Sequence, residues 1–165
     1  MRKTASYADV LAAPEHKIAE IVDGALMLSP RPGGAQAEAV AALVGQLVGP
    51  FWGPGGGPRK PGGWRLERMP QRSEAPWIEL APDWLCEVVS PSTARHDRMR
   101  KLPIYARQGV LHVWLVDPLL ETVEVLELRD GAYSIVQTAE GREKRAKLRP
   151  FDAVGLDLRR WWGLG

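Results

Sequence analysis

Apolar and polar positions along the chain divide it into short elements with different periods. Residues 5–13 (ASYADVLAA) have helical spacing, with Ser6 or Asp9 near the start and Pro14 as the stop. Lys17–Ile21 and Ala25–Leu28 flank Val22-Asp23-Gly24, and Asp-Gly between apolar residues predicts a β-hairpin. Ser29–Gly34 reads as loop. Ala35–Val48 is an alanine-rich helix with Val40, Leu43, Leu47 and Val48 on one stripe. Residues 49–64 (GPFWGPGGGPRKPGGW) are too rich in glycine and proline for a helix or an interior strand. Residues 64–80 have little period.

The second half is more regular. Trp84–Val89 reads as a buried strand, Ser90–Thr93 as a turn with Ser92 or Thr93 as N-cap, and Ala94 to Gln108 as a helix ended by Gly109. Pro103 lies inside that helix and should kink it. Val110–Val116 is a second apolar strand, closed by Asp117-Pro118. Strand, helix and strand in succession form a βαβ unit, with parallel strands and a right-handed crossover. Glu121–Leu128 and Ala132–Gln137 form a hairpin around Asp130-Gly131. Residues 143–149 alternate weakly, and Pro150-Phe151-Asp152 leads to a last strand or short helix ending at Trp161-Trp162. The expected fold class is mixed α/β: a central mixed sheet flanked by helices, in one domain spanning 1–165.

Composition narrows the function classes. The 165 residues are 45% hydrophobic and 25% charged, ordinary for a water-soluble fold. Net charge is +2, so no histone-like tail is present, although arginines cluster at 95–107 and 143–149. One cysteine, Cys86, excludes an intrachain disulfide, and His16, His96 and His112 do not have zinc spacing. No stretch reads as a signal peptide or membrane span, so the expected location is the cytoplasm.

Glu87 lies inside the apolar strand, where a carboxylate is expensive to bury unless paired or bound to a cation. Alternation puts Asp83, Leu85 and Glu87 on one face and Trp84, Cys86 and Val88 on the other. The alternative to a functional role is a strand-end acid satisfied by an arginine of the next helix. Asp97, Lys101 and Tyr105 share one helical stripe. Spacing alone makes Asp97–Lys101 a surface ion pair, contributing about 0.3–0.5 kcal/mol. Glu20, just before the first turn, is either an exposed strand carboxylate or an acid carried to Glu87. Tyr105 and Trp114 read as core. Trp161-Trp162 reads as core, or alternatively as the apolar patch of a homodimer. Ser90 lacks a glycine-flanked elbow, and GPGGGP lacks the GK[ST] of a P-loop.

Together, IAEIVDGALMLSPRP, PDWLCEVVSPSTARHDRMRKLPIYARQGVLHVWLVDP and FDAVGLDL resemble the Uma-two family of restriction-endonuclease-like proteins, from about residue 15 to the C-terminus. The resemblance implies the PD-(D/E)XK nuclease fold, DNA as substrate and Mg²⁺ (or Mn²⁺) as cofactor. In that chemistry carboxylates hold a hard cation, which polarises the scissile phosphate and activates water. A lysine stabilises the developing charge. By position, Glu87 is the (D/E) ligand. Val89 stands where the common motif has lysine, and Lys101 matches a relocated lysine. Glu20 matches the family's early glutamate, an auxiliary acid.

One feature departs from the family. Its first aspartate belongs to a Pro-Asp before a tryptophan-containing segment like WRLERMP, whereas Gly-Pro-Arg-Lys-Pro-Gly-Gly precedes Trp64 here. The hairpin that would carry the aspartate is absent. Asp83 follows a proline and shares a face with Glu87, which makes it the substitute metal ligand. Four extended residues, however, place the two about 13 Å apart. Glu67, Glu74 and Glu79 are further sources of a ligand. The sequence therefore predicts an incomplete metal site. It leaves two readings, a Mg²⁺-dependent DNA hydrolase and an inactive DNA- or protein-binding relative.

Overall fold

The computed structural model describes residues 4–51 and 80–164. Glu67, Glu74, Glu79 and the Gly/Pro-rich stretch from residue 52 onward lie outside these residues.

The chain starts with helix α1 (Tyr7–Leu11), whose Ser6 and Asp9 form a capping box. Strands β1 (Lys17–Val22) and β2 (Ala25–Pro30) pair antiparallel around Asp23 and Gly24, at φ 48° and 74°. Two successive positive φ values give a turn whose twist matches the strands, which explains the Asp-Gly pair. Ser29 and Pro30, expected as loop, belong to β2 because Pro30 ends it at a sheet edge where no N–H is needed. Helix α2 (Gly34–Phe51) runs past its expected end. Pro50 lies in its last turn, where a missing N–H costs one bond rather than the helix.

The main sheet has the order β3-β4-β5-β6, built from Trp84–Val88, His112–Asp117, Thr122–Arg129 and Ala132–Glu140. β3 and β4 are parallel and the other pairs antiparallel, so the predicted βαβ unit forms. Asp130 and Gly131, at φ 50° and 79°, make the second Asp-Gly turn.

The crossover differs in detail from the expected kinked helix. α3 (Ala94–His96) passes into a π-helical turn (Asp97–Lys101) and then into α4 (Leu102–Arg107). The Leu102 N–H donates to the Asp97 carbonyl, an i to i+5 bond. Pro103 offers no N–H, and the wider turn ahead of it absorbs the mismatch. The Thr93 side chain does not cap the helix. It accepts from the Ser90 N–H at 3.1 Å, while the Ser90 hydroxyl accepts from the Thr93 N–H at 3.2 Å.

Strand alternation sorts the core into two layers. On one face Trp114, Val116, Val123 and Val125 pack with Leu43 and Leu47 of α2 and with Leu156, Leu158 and Trp161. Trp84, Cys86 and Val88 face this layer. On the other face Val113, Leu115, Leu126 and Val89 pack with Leu85, Leu102 and Tyr105. Trp161, in a 3-10 helix (Leu158–Trp162), is fully buried in this layer, and Trp162 is partly buried against it. Among the described residues no helix is long and apolar enough to cross a membrane.

Candidate functional site

Glu87 points to the face covered by α3, the π turn and α4. Its neighbours on that face, Leu85 and Val89, are apolar, so its charge must be answered from the helix. Two groups answer it. The Tyr105 hydroxyl donates to Oε1, and Lys101 Nζ approaches Oε2 at 3.4 Å. The arginine considered from sequence is not the partner.

Lys101 is the hub. Its ammonium also meets Glu20 Oε1 at 2.9 Å and Asp97 Oδ1 at 3.2 Å. The Asp97 contact is an ion pair without hydrogen-bond geometry. Three carboxylates thus share one ammonium, and sharing it brings them within about 6 Å, where charges couple strongly. Asp97 and Lys101 are only 2% and 8% exposed, so the surface pair expected from spacing is a buried one. Helical periodicity fixed their common stripe, but only packing against β3 determined that the stripe faces inward.

Burial dominates the electrostatics of Glu87. It raises the carboxyl above the usual range, and the Tyr105 hydrogen bond and Lys101 charge only partly offset it. Burial alone would lower the Lys101 ammonium, but the Glu20 hydrogen bond and the Glu87 charge more than reverse this and hold it protonated. Tyr105 is raised by burial and by its bond to Glu87, so it stays a donor. Cys86, on the opposite face, is pushed up to about 12 by burial, which leaves it an unreactive thiol.

The cluster lies at an open cavity of about 420 Å³. The hairpin forms one wall through Ile18, Glu20 and Ser29, continued by Arg31 just after it; the end of β3 and the Ser90–Thr93 turn form the other. Asp83 is not part of it. It lies at the far end of β3, where its carbonyl accepts from the His112 N–H at 3.0 Å. The structure therefore brings Glu20, Glu87 and Lys101 together and leaves Asp83 apart. Asp97 joins them, and Tyr105 is both core and site.

The profile of the Uma2 family, described as "Putative restriction endonuclease", matches residues 61–159, more than half of the chain. The chain belongs to the Uma2 family. The matched part includes Glu87 and Lys101, while the hairpin bearing Glu20 lies before it. No curated protein matches the chain. A crystal structure described as a putative nuclease belonging to DUF820 from Anabaena variabilis ATCC 29413 is similar in fold. It has 14% identity, coverage of 97% of this chain and 98% of that one, and a TM-score of 0.65. The overall fold, a mixed sheet with helices, is thus similar to that of a solved structure despite low identity.

For this Uma2 chain, the donor set can be tested against Mg²⁺. The ion favours hard oxygens and is commonly held by one or two carboxylates plus phosphate oxygens. Glu87 and Glu20 suit that kind of site. Among the described residues no group of three His, Cys, Asp or Glu side chains is arranged to hold an ion by itself.

Proposed function

We propose that this Uma2 protein hydrolyses phosphodiester bonds of DNA with Mg²⁺ or Mn²⁺ held by Glu87 and by oxygens of the substrate itself. The supporting observation is the Lys101 ammonium, held at 3.4 Å from the strand carboxylate beside an open cavity. When bound, the ion supplies Lewis-acid polarisation of the phosphate and a more acidic water. Lys101 stays protonated and stabilises negative charge that develops on phosphate oxygens. Tyr105 holds Glu87 by hydrogen bonding to one carboxylate oxygen, which leaves the other directed toward Lys101. Glu20 is the auxiliary acid.

The inactive, DNA- or protein-binding reading is favoured by one observation: Asp83, the Pro-Asp of the sequence, is remote from Glu87 and cannot complete a two-carboxylate site with it. A supercoiled-plasmid assay with Mg²⁺ or Mn²⁺ separates the two readings. The expected result is metal-dependent nicking, lost in Glu87→Ala and reduced at least a hundredfold in Lys101→Ala, the scale on which transition-state charge stabilisers act. Nicking that survives in Glu87→Ala would remove this residue from the reaction. Absence of nicking by the unaltered protein, with salt-sensitive DNA binding retained, would establish the binding reading.

A further inference from the structure

The three carboxylates on Lys101 are not equivalent. Asp97 is fixed on the same helix, one π turn away, and its side chain is 3% exposed. Glu87 is built into β3, tied by Tyr105, and its side chain is 18% exposed. Glu20 makes the shortest contact, yet its side chain is 39% exposed. Among the described residues it belongs to a two-stranded sheet that pairs with no strand of the main sheet. Lys101 itself is 10% exposed in its side chain, so Glu20 is the outermost group on an otherwise enclosed ammonium.

Charge makes the same distinction. One ammonium needs one carboxylate for neutrality, and this one has three. An added anion would meet a site already in negative excess. An exchanged anion does not add to that excess: a phosphodiester carries one negative charge, as does a glutamate, so replacing one by the other leaves the balance unchanged. The residue available for exchange is the exposed one on the separately paired hairpin. A second ion pair from the hairpin to the helix, Asp23–Arg107 at 2.9 Å, is exposed on both sides and holds it weakly.

We propose that the Glu20 carboxylate occupies the place on Lys101 Nζ that a nucleic-acid phosphate takes, so that the β1–β2 hairpin is a clasp which the substrate displaces. This rests on the phosphodiester reading above and deepens it: Glu20 acts first as a competitor of the phosphate, and only once displaced is it free to act as an acid. Glu20→Gln keeps the shape and removes the competing charge.

The test is binding of a short fluorescent DNA duplex in EDTA across a salt series. Glu20→Gln should bind about fivefold tighter at low salt, the worth of releasing one partly exposed ion pair. The slope of log K against log salt should steepen by about 0.9, because the one Lys101–phosphate contact is then no longer offset by a carboxylate set free to attract a cation. Adding Lys101→Met should erase both gains. Equal or weaker binding by Glu20→Gln, or a gain that persists with Lys101→Met, overturns the proposal. Should that double variant fail to fold, the ¹⁵N-lysine resonance of Lys101 replaces it. The resonance must move on titration of Glu20→Gln with duplex, and an unmoved resonance overturns the proposal. If no protein binds duplex, the DNA reading fails, and inorganic phosphate decides the clasp. Phosphate shifting Lys101 in Glu20→Gln and not in the unaltered protein supports it; no shift in either overturns it.

Discussion

The two faces of β3 carry the same strand in opposite ways. Trp84, Cys86 and Val88 meet an aromatic layer in which Trp84, Trp114 and Phe151 pack edge-to-face, with centroids 4.8–5.3 Å apart. Leu85, Glu87 and Val89 meet a smaller apolar layer that encloses a charge cluster. The first face contributes through area and shape. The second loses part of that contribution to desolvation, because buried ions recover their solvation only in part from one another. A strand that sacrifices packing on one face while saturating the other with tryptophan has its stability and its chemistry on opposite sides.

This contrast predicts a ranking. Trp114 is fully buried and donates its indole N–H to the Arg149 carbonyl, so Trp114→Ala should cost about 3–5 kcal/mol, read from the shift in denaturant midpoint. A loss of under about 1 kcal/mol would show that the aromatic face is not the stabilising one.

On the charged face, Glu87→Gln should have a smaller effect that depends on pH. The Glu87 carboxyl is raised in the folded state, chiefly by burial. Below its unfolded value, about 4.3, the group is neutral in both states and glutamine should match it. As pH rises from there through the folded value, the unfolded chain releases its proton first and the native protein loses stability. Glu87→Gln should escape that loss, so its melting temperature should gain on the unaltered protein with rising pH and then level off. A difference that stays flat with pH would mean that Glu87 ionises in the fold at no cost.

The smallest effect belongs to neither face. Arg107→Ala removes the exposed pair to Asp23 and should change global stability by about 0.2–1 kcal/mol, with salt reducing the difference. A larger loss would show the hairpin to be part of the cooperative core.

Much of the architecture was legible because its signals are local. Both expected Asp-Gly hairpins form, with positive φ at each residue of the pair, and Gly109, at φ 73°, ends the crossover helix as predicted. The parallel pairing of β3 and β4 follows from strand, helix, strand. The π turn was not legible, since a proline predicts a disturbance of the ladder and not how neighbouring turns absorb it. Nor was the depth of Asp97 and Lys101, because an i,i+4 stripe looks the same facing water or facing a sheet. Glu20 is 81 residues from Lys101, and no local pattern records that contact.

The sequence by itself determined which segments of the described chain form strands, turns and helices, with ends displaced by a few residues, and through the EVVSPST…D…K…Y pattern it indicated the Uma2 resemblance. Turn propensity, alternation and helical period act over a few residues, so they can be read without a fold. Only the tertiary structure decided that Glu20 reaches Lys101 and that Asp97 is buried beside it, whereas strand rise alone had already set Asp83 apart from Glu87. Electrostatic coupling depends on distance and desolvation in space, and both are set by how β3, the crossover helix and the first hairpin pack together.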